Sequence, residues 1–418
     1  MDQRDYSATT ITEERATERE SASVSASAEP ASTVDSLSNP IHVLHVVNLP
    51  KANSAYYFKN IFDYTDRLGI KSSVVTLGVS EGFTEELEQR GTTAYALGCP
   101  GRRHYPRTVN QLSRLIESEK VDIVHTHNFD PSLIGFVAAR RSRRRLIVTR
   151  HHSVAIHLIP QRLKREGYLF AERMIHRYAS CIIAPSMMVR DILIEREGLP
   201  PAKVTVIPYG QTTERFDAVT PERVESVRSE LGMAEQLSLV YVARLDPGKG
   251  HSYLFEAFAG LVGQGVEAKL YLVGAGPMED KLKALATRLG IEDEVRFLGW
   301  RADALTVMAG ADIAVHPSLH EALSQTVIEA VVLERPLIAT DVSGVRDTIG
   351  DNEFGMIVPP ADAEALRLAL ERTINDLEGA RERARLGRRF VLDYMDAERA
   401  ARGHVDCYKR VFGGQRPA

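Results

Sequence analysis

From residue 41 onward, short unbroken apolar runs alternate with longer stretches of helical spacing. The runs in the first half are IHVLHVV (41–47), SSVVTLG (72–78), TAYALG (93–98), DIVHTH (122–127), LIVTRH (146–151), CIIAPS (181–186) and KVTVIP (203–208). Such runs lack the polar alternation of a half-solvated strand, so each is expected to be covered on both faces, as in a parallel sheet flanked by helices. The segments 53–68, 106–119, 131–141 and 160–179 supply the helices. The pattern restarts with LSLVYVA (237–243), AKLYLVG (268–274), EVRFLG (294–299), ADIAVHP (311–317), RPLIAT (335–340) and GMIVP (355–359). This predicts an α/β protein with two doubly wound, Rossmann-like domains facing a cleft. The expected boundaries are a tail over 1–39, an N-terminal domain over 40–209, a C-terminal domain over 210–395, and a last helix within 396–418 returning to the N-terminal domain. Ligands of such sheets sit at the carboxyl ends of the strands, so the chemistry is sought there.

Composition narrows the setting. Residues 1–39 hold eight acids against three arginines and a single aromatic, Tyr6, too little apolar surface to offset ordering entropy, and are expected to be disordered. Cys99, Cys181 and Cys407 lie far apart and form no CxxC, which supports neither a disulfide framework nor a zinc site. No run approaches the roughly 18 apolar residues of a membrane span, and no secretory h-region is present. Residues 101–180 carry 16 Lys+Arg against six Asp+Glu, a net of +10, concentrated at Arg140, Arg141, Arg143, Arg144 and Arg145. This is a solvated basic face, or a surface for anionic lipid or an anionic acceptor. No aromatic-interleaved basic motif points to nucleic acid.

Four strand ends in the second half carry polar punctuation. VARLDPGKG (242–250) places Arg244 and Lys249 in a glycine-containing loop before a helix starting near His251, a polyanion site by charge and helix dipole. LYLVGAGP (270–277) ends at Gly274, where a ligand could approach backbone, or the chain could simply turn tightly. VRFLGW (295–300) ends at Gly299 and the only tryptophan, Trp300, placed to face a base or to pack in the core. HPSLHEALSQTVIEA (316–330) carries Glu321 and Glu329. Glu321 is expected at or just before the first turn of a helix through EALSQTVIEAVVLE (321–334), and along such a helix the two glutamates differ by about 80° in azimuth and 12 Å in rise. They could not share one metal, but could grip two ends of one long ligand, with the N–H groups of Leu323, Ser324 and Gln325 turned to an anion between them.

Arg-x4-Lys, GxG, Gly-Trp and Glu-x7-Glu in this order resemble the retaining glycosyltransferases of the GT-B fold, specifically the large group 1, family 4 type. The resemblance is most specific over 237–360 and extends loosely over 41–411. It implies a hexosyltransferase that moves a sugar from a nucleotide diphosphate sugar to an acceptor hydroxyl with retention. Arg244 and Lys249 would bind the diphosphate, Glu321 the donor sugar, Glu329 the ribose, Leu323–Gln325 the phosphates and sugar, and backbone near Gly299–Arg301 the base. No cofactor beyond the co-substrate and no metal is implied. In the N-terminal domain, His125 and His127 of HTHN share one strand face, without an evident third metal ligand. The resemblance marks His127 as a histidine near the transferring sugar. His151, His152, Asn53 and Ser54 are placed on the acceptor side. The chain departs from the family pattern in NLPKANSAYY (48–57), where a glycine pair is common, in IPYGQ (207–211), where Ile-Pro-Asn-Gly is common, and at Ala322, where glycine is frequent. Two rivals share the fold: a nucleotide-sugar epimerase, and a catalytically silent scaffold. The expected setting is the cytoplasm, peripheral on the inner membrane face, with an acceptor that is a glycan, lipid or small molecule.

Overall fold

The computed structural model describes residues 40–49, 56–151, 159–210, 213–321, 323–342 and 344–414. The 1–39 tail, Asn53, Ser54, His152 and Ala322 lie outside the described residues. Among the described residues, thirteen strands form two sheets. The first contains β1 (Ile41–Val47), β2 (Ile70–Thr76), β3 (Thr93–Ala96), β4 (Ile123–His127), β5 (Arg145–Thr149), β6 (Cys181–Ala184) and β7 (Val204–Val206), in the order β3-β2-β1-β4-β5-β6-β7. The second contains β8 (Leu237–Val242), β9 (Ala268–Val273), β10 (Val295–Gly299), β11 (Ile313–His316), β12 (Leu337–Thr340) and β13 (Met356–Val358), in the order β10-β9-β8-β11-β12-β13. Every pairing is parallel. The expected α/β class and GT-B architecture are observed.

The unbroken apolar runs explain this arrangement. All seven residues of β1 and all five of β4 are buried. Full burial of each Val, Leu or Ile side chain contributes about 1.5–3 kcal/mol, and a strand gains this on both faces only when helices cover both. In each sheet the order reverses beside the first strand, between β1 and β4 and between β8 and β11. These reversals open a crevice at the carboxyl ends of the strands, and the polar residues of interest gather there.

The last two helices lie on different sheets. Helix Leu377–Tyr394 packs on helix Gln325–Val332 beside the second sheet. Asp396 then caps helix Ala397–Phe412, accepting from the Arg399 N–H at 2.8 Å. That helix buries Ala400, Val405, Cys407, Tyr408 and Val411 against Ile41, Val43, Ile123 and Ile183 of the first sheet.

Candidate active site

At the β8/β11 reversal, the loop after β8 carries the expected cations. Arg244 has 72% of its side chain exposed and pairs with Asp246. Lys249 ends a 3-10 turn, Pro247–Lys249, and its Nζ pairs with Glu321 Oε1. Gly250 follows with φ of 67°, and a Cβ there would lie 1.9 Å from the Pro317 carbonyl oxygen, so only glycine lets this loop close on the end of β11. Gly274 has a related explanation. A Cβ at Gly274 would lie 1.9 Å from the Ala243 carbonyl oxygen, so the backbone it approaches is the protein's own.

Glu321 precedes the helix rather than opening its first turn. The helix spans Gln325–Val332, and Ser324 caps it by accepting from the Val327 N–H at 3.4 Å. Glu321 sits on the preceding loop, drawn to Lys249 and 3.4 Å from His316 Nε2. The 80° azimuth expected for one continuous helix therefore does not apply. Burial pushes the Glu321 carboxyl up, but His316 and Lys249 outweigh it and hold it at about 2. His316 is itself lowered by burial against the pull of Glu321. At neutral pH the site is thus a lysine–carboxylate ion pair beside a neutral imidazole. Leu323 and Ser324 are buried between this loop and the helix.

Glu329 is half-buried on the helix and pairs with Arg215, from the 3-10 turn Glu214–Phe216. Burial raises its carboxyl and Arg215 lowers it, with a net rise. Trp300 is 73% exposed at the end of β10, which removes core packing as its role. Arg301 beside it pairs with Asp303 and Glu230.

At the β1/β4 reversal the groups are uncharged. His45 on β1 stands in register with His125 on β4. His45 Nδ1 hydrogen-bonds His127 Nε2 at 3.0 Å, His127 Nδ1 hydrogen-bonds His151 Nε2 at 2.9 Å, and His151 Nδ1 hydrogen-bonds the Tyr209 hydroxyl at 2.8 Å. His125 bonds the Tyr408 hydroxyl at 2.9 Å and Thr149 Oγ1 at 2.7 Å. Burial drives all four histidines below the ordinary value, with neighbouring histidines adding to the shift; His151 falls to about 4. His45 is the third histidine that the HTHN strand lacks in sequence: ligand atoms of His45, His125 and His127 lie within 4.8 Å of one another. Five of their six ring nitrogens are already hydrogen-bonded, so a cation would have to replace this network.

His127 and His151 line a cavity of about 300 Å³ together with Asn48, Asn128, Tyr209 and Gln325. Its apolar wall includes Val47, Leu49 and Phe58. Gln325 is the first residue of the helix that carries Glu329, so one cavity joins the histidine chain to the second sheet.

Arg215, His316, His45 and Tyr209 were not marked as site residues by sequence reasoning. The partners of Arg215 and His45 are 114 and 82 residues away, and no local pattern reports such contacts. Tyr209 had a signal, the departure IPYGQ, and His45 had a weak one, as one of two histidines, with His42, in a buried strand.

Known proteins place this architecture. Residues 225–389 match the model of the glycosyl transferases group 1, and residues 54–215 match that of glycosyltransferase family 4. EpsD of Bacillus subtilis (strain 168), provisionally named a glycosyltransferase, is 30% identical over 69% of this chain and 76% of its own length. An Escherichia coli enzyme named UDP-Gal:alpha-D-GlcNAc-diphosphoundecaprenol alpha-1,3-galactosyltransferase is 27% identical over 65% of this chain and 70% of its own. The crystal structure of Anabaena HepE in complex with UDP superposes with a TM-score of 0.76 at 21% identity, covering 88% of this chain and 100% of that one. The chain belongs to the group 1, family 4 glycosyltransferases of the GT-B fold.

Proposed function

We propose that the protein transfers a sugar from a nucleotide diphosphate sugar to an acceptor hydroxyl, with retention at the anomeric carbon. The observation that carries this reading is the Lys249–Glu321 pair at the β8/β11 reversal, with Arg244 exposed on the same loop and Glu329 half-buried on the following helix. Arg244 and Lys249 supply positive charge for the departing diphosphate, stabilisation that grows as the bond to the sugar breaks. Glu321, ionised at neutral pH, accepts hydrogen bonds from donor-sugar hydroxyls. Glu329 shares its carboxylate between Arg215 and the ribose. The backbone after Glu321, Gly274, and Gly299 with Trp300 complete the donor side, and His127 the sugar's other flank. Retention on this site proceeds by same-face displacement: the bond from the anomeric carbon to the phosphate oxygen breaks, the bond to the acceptor oxygen forms, and the hydroxyl proton passes to the departing diphosphate. The HepE structures with UDP and with UDP-glucose support a uridine donor as the first to test. The relatives named as transferases weigh against the epimerase and the silent scaffold.

A finer part of the reading is a membrane-bound acceptor. Among the described residues no helix is long and apolar enough to cross a membrane. Helix Arg162–Tyr178 nevertheless exposes Leu163 (90%), Phe170 (63%) and Met174 (43%). Seven and eleven residues of helix turn about 700° and 1100°, so the three fall within about 40° of one another. Arg162, Lys164, Arg165, Arg173 and Arg177 share this helix, a pattern suited to an anionic lipid surface. The protein would then act peripherally on the inner membrane face.

A thermal-shift screen of UDP-, GDP- and ADP-sugars tests the donor side, because a ligand of the folded state raises the melting temperature. NMR of the product's anomeric proton tests retention. Stabilisation by no nucleotide sugar, or an inverted product, overturns the corresponding part.

A further inference from the structure

We propose that the cavity at the β1/β4 reversal takes an uncharged sugar ring as acceptor, and that Tyr209 orients it by accepting a hydrogen bond from one of its hydroxyls. This rests on the transferase reading and extends it to the acceptor class. The cavity combines an apolar wall with planar polar groups, Asn48, His127, Asn128, His151, Tyr209 and Gln325. Among the described residues no charged side chain lines it. Its volume, about 300 Å³, falls at the lower end of small-molecule sites.

Tyr209 stands where asparagine is common in the family pattern, and its phenol reaches a hydrogen bond that a shorter side chain would not. That bond opens the run Tyr209–His151–His127–His45, whose successive rings are inclined by 30°, 26° and 20°. A neutral imidazole has one N–H and one lone pair. All three rings must therefore take the same sense. If Tyr209 donates inward, His151, His127 and His45 each carry the proton on Nε2. If the run is reversed, each carries it on Nδ1.

The far end favours the first. His45 Nε2 is buried and has no hydrogen-bond partner. Its ring stands beside Phe58 and Phe62, with centroids 5.6 and 4.8 Å away. We take the inward sense, in which His45 sets an Nε2–H beside these rings, since an N–H makes a weak favourable contact where it meets an aromatic face. Tyr209 then presents only lone pairs to the cavity, and its oxygen is polarised by the hydrogen bonds behind it. Burial keeps the imidazoles neutral, so the run offers an uncharged acceptor for a sugar O–H and no counter-ion for an anion. Tyr209 is the contact with the acceptor; His151, His127 and His45 position it, and His127 also flanks the donor sugar.

Two measurements test this. Side-chain ¹⁵N NMR of the full chain at pH 7 should show His45, His127 and His151 all as Nε2–H tautomers. Tyr209→Phe should shift the His45 resonance although two rings intervene. Mixed tautomers, an imidazolium, or an unmoved His45 overturn the run. Calorimetry with UDP present should then compare methyl glucoside, galactoside and mannoside with glucuronate, galacturonate and mannuronate. At least one methyl glycoside should bind more tightly than its uronate. Tyr209→Phe should weaken it about five- to tenfold, the loss of one neutral hydrogen bond, and leave UDP affinity unchanged. His45→Gln should act in the same direction, with no further loss in the double variant. Tighter uronate binding, no glycoside binding, or an unchanged Tyr209→Phe sinks the proposal. Failure of the wild type to bind UDP or any other nucleotide would instead sink the donor reading.

Discussion

The two sheets share one strand order yet finish it with opposite chemistry. At the β8/β11 reversal the groups are ion pairs, Lys249 with Glu321 and, one helix on, Arg215 with Glu329. At the β1/β4 reversal they are neutral imidazoles and a phenol joined by hydrogen bonds. The fold sets where a ligand sits, and the side chains at the strand ends set which ligand it is. A diphosphate needs charge that strengthens as it departs. A hydroxylic acceptor needs orientation without a counter-ion that would trap the anion on the wrong side.

The largest expected effect exploits the neutral end. His45, His125 and His127 are driven well below 6.5 by burial, and His151 and His404 to about 4. The folded state favours their neutral forms, so this contribution to stability is complete above pH 6.5 and is lost as pH falls towards 4. Each group can cost up to about 1.4 kcal/mol per pH unit in that window. Two such histidines over about 2.5 units cost ~7 kcal/mol, comparable to the whole stability of many domains. Glu172 opposes this. Burial, against Arg150 and with Glu197, raises it to about 7, so its protonation favours the fold as pH falls from 7 towards the ordinary value near 4.5. It offsets about one histidine. Chemical denaturation monitored by circular dichroism at pH 7.5, 6 and 5 should show a steep loss. An unchanged midpoint would mean that these rings are not buried neutral.

The charged end is broken next. Lys249→Ala and Arg244→Ala should lower turnover by roughly 10²–10³, about 2.7–4 kcal/mol, if each stabilises developing charge on the diphosphate. The measurement is initial rate at saturating donor. Full activity in both variants removes the site. A smaller effect separates the two carboxylates. Glu329→Ala should weaken UDP about 10- to 100-fold, the loss of hydrogen bonds to a charged group. Glu321→Ala should spare UDP affinity and lower turnover. Calorimetry with UDP on both variants decides, and the reverse pattern would exchange their roles.

How legible this was in sequence differs along the chain for physical reasons. The thirteen strands were legible because an apolar run buried on both faces has no polar alternation to blur it; β1 was expected and observed at 41–47. KVTVIP was read as 203–208 but pairs only over Val204–Val206, because nothing local says where pairing stops. The helix expected through 321–334 forms only over Gln325–Val332, although Glu, Ala and Leu are good helix formers. Tertiary pull by Lys249 and His316 overrode that propensity. Trp300 stood equally for core or surface until its 73% exposure was seen. The hydrogen-bonded histidine run was illegible because it joins three strand ends and the chain after β7, and only register brings His45 opposite His125.

The smallest effect concerns the outer face of the domain built on the first sheet. If helix Arg162–Tyr178 docks on lipid, two forces contribute. Each Lys or Arg near an anionic surface gives about 1 kcal/mol, and salt weakens it over a screening length of about 8 Å. The stripe of Leu163, Phe170 and Met174 adds apolar burial that salt does not screen. The two can therefore be separated by vesicle co-sedimentation. Neutralising Arg140, Arg141, Arg143, Arg144 and Arg145 should weaken the preference for anionic over neutral vesicles, leaving the part that comes from the cations of the helix itself. Leu163→Ser with Phe170→Ser should lower binding to anionic vesicles about tenfold, the loss of about 1.4 kcal/mol of apolar burial. What remains should then become fully salt-sensitive. Equal sedimentation of all three proteins would leave both features as solvated surface. The neutral cavity would then serve a soluble sugar acceptor.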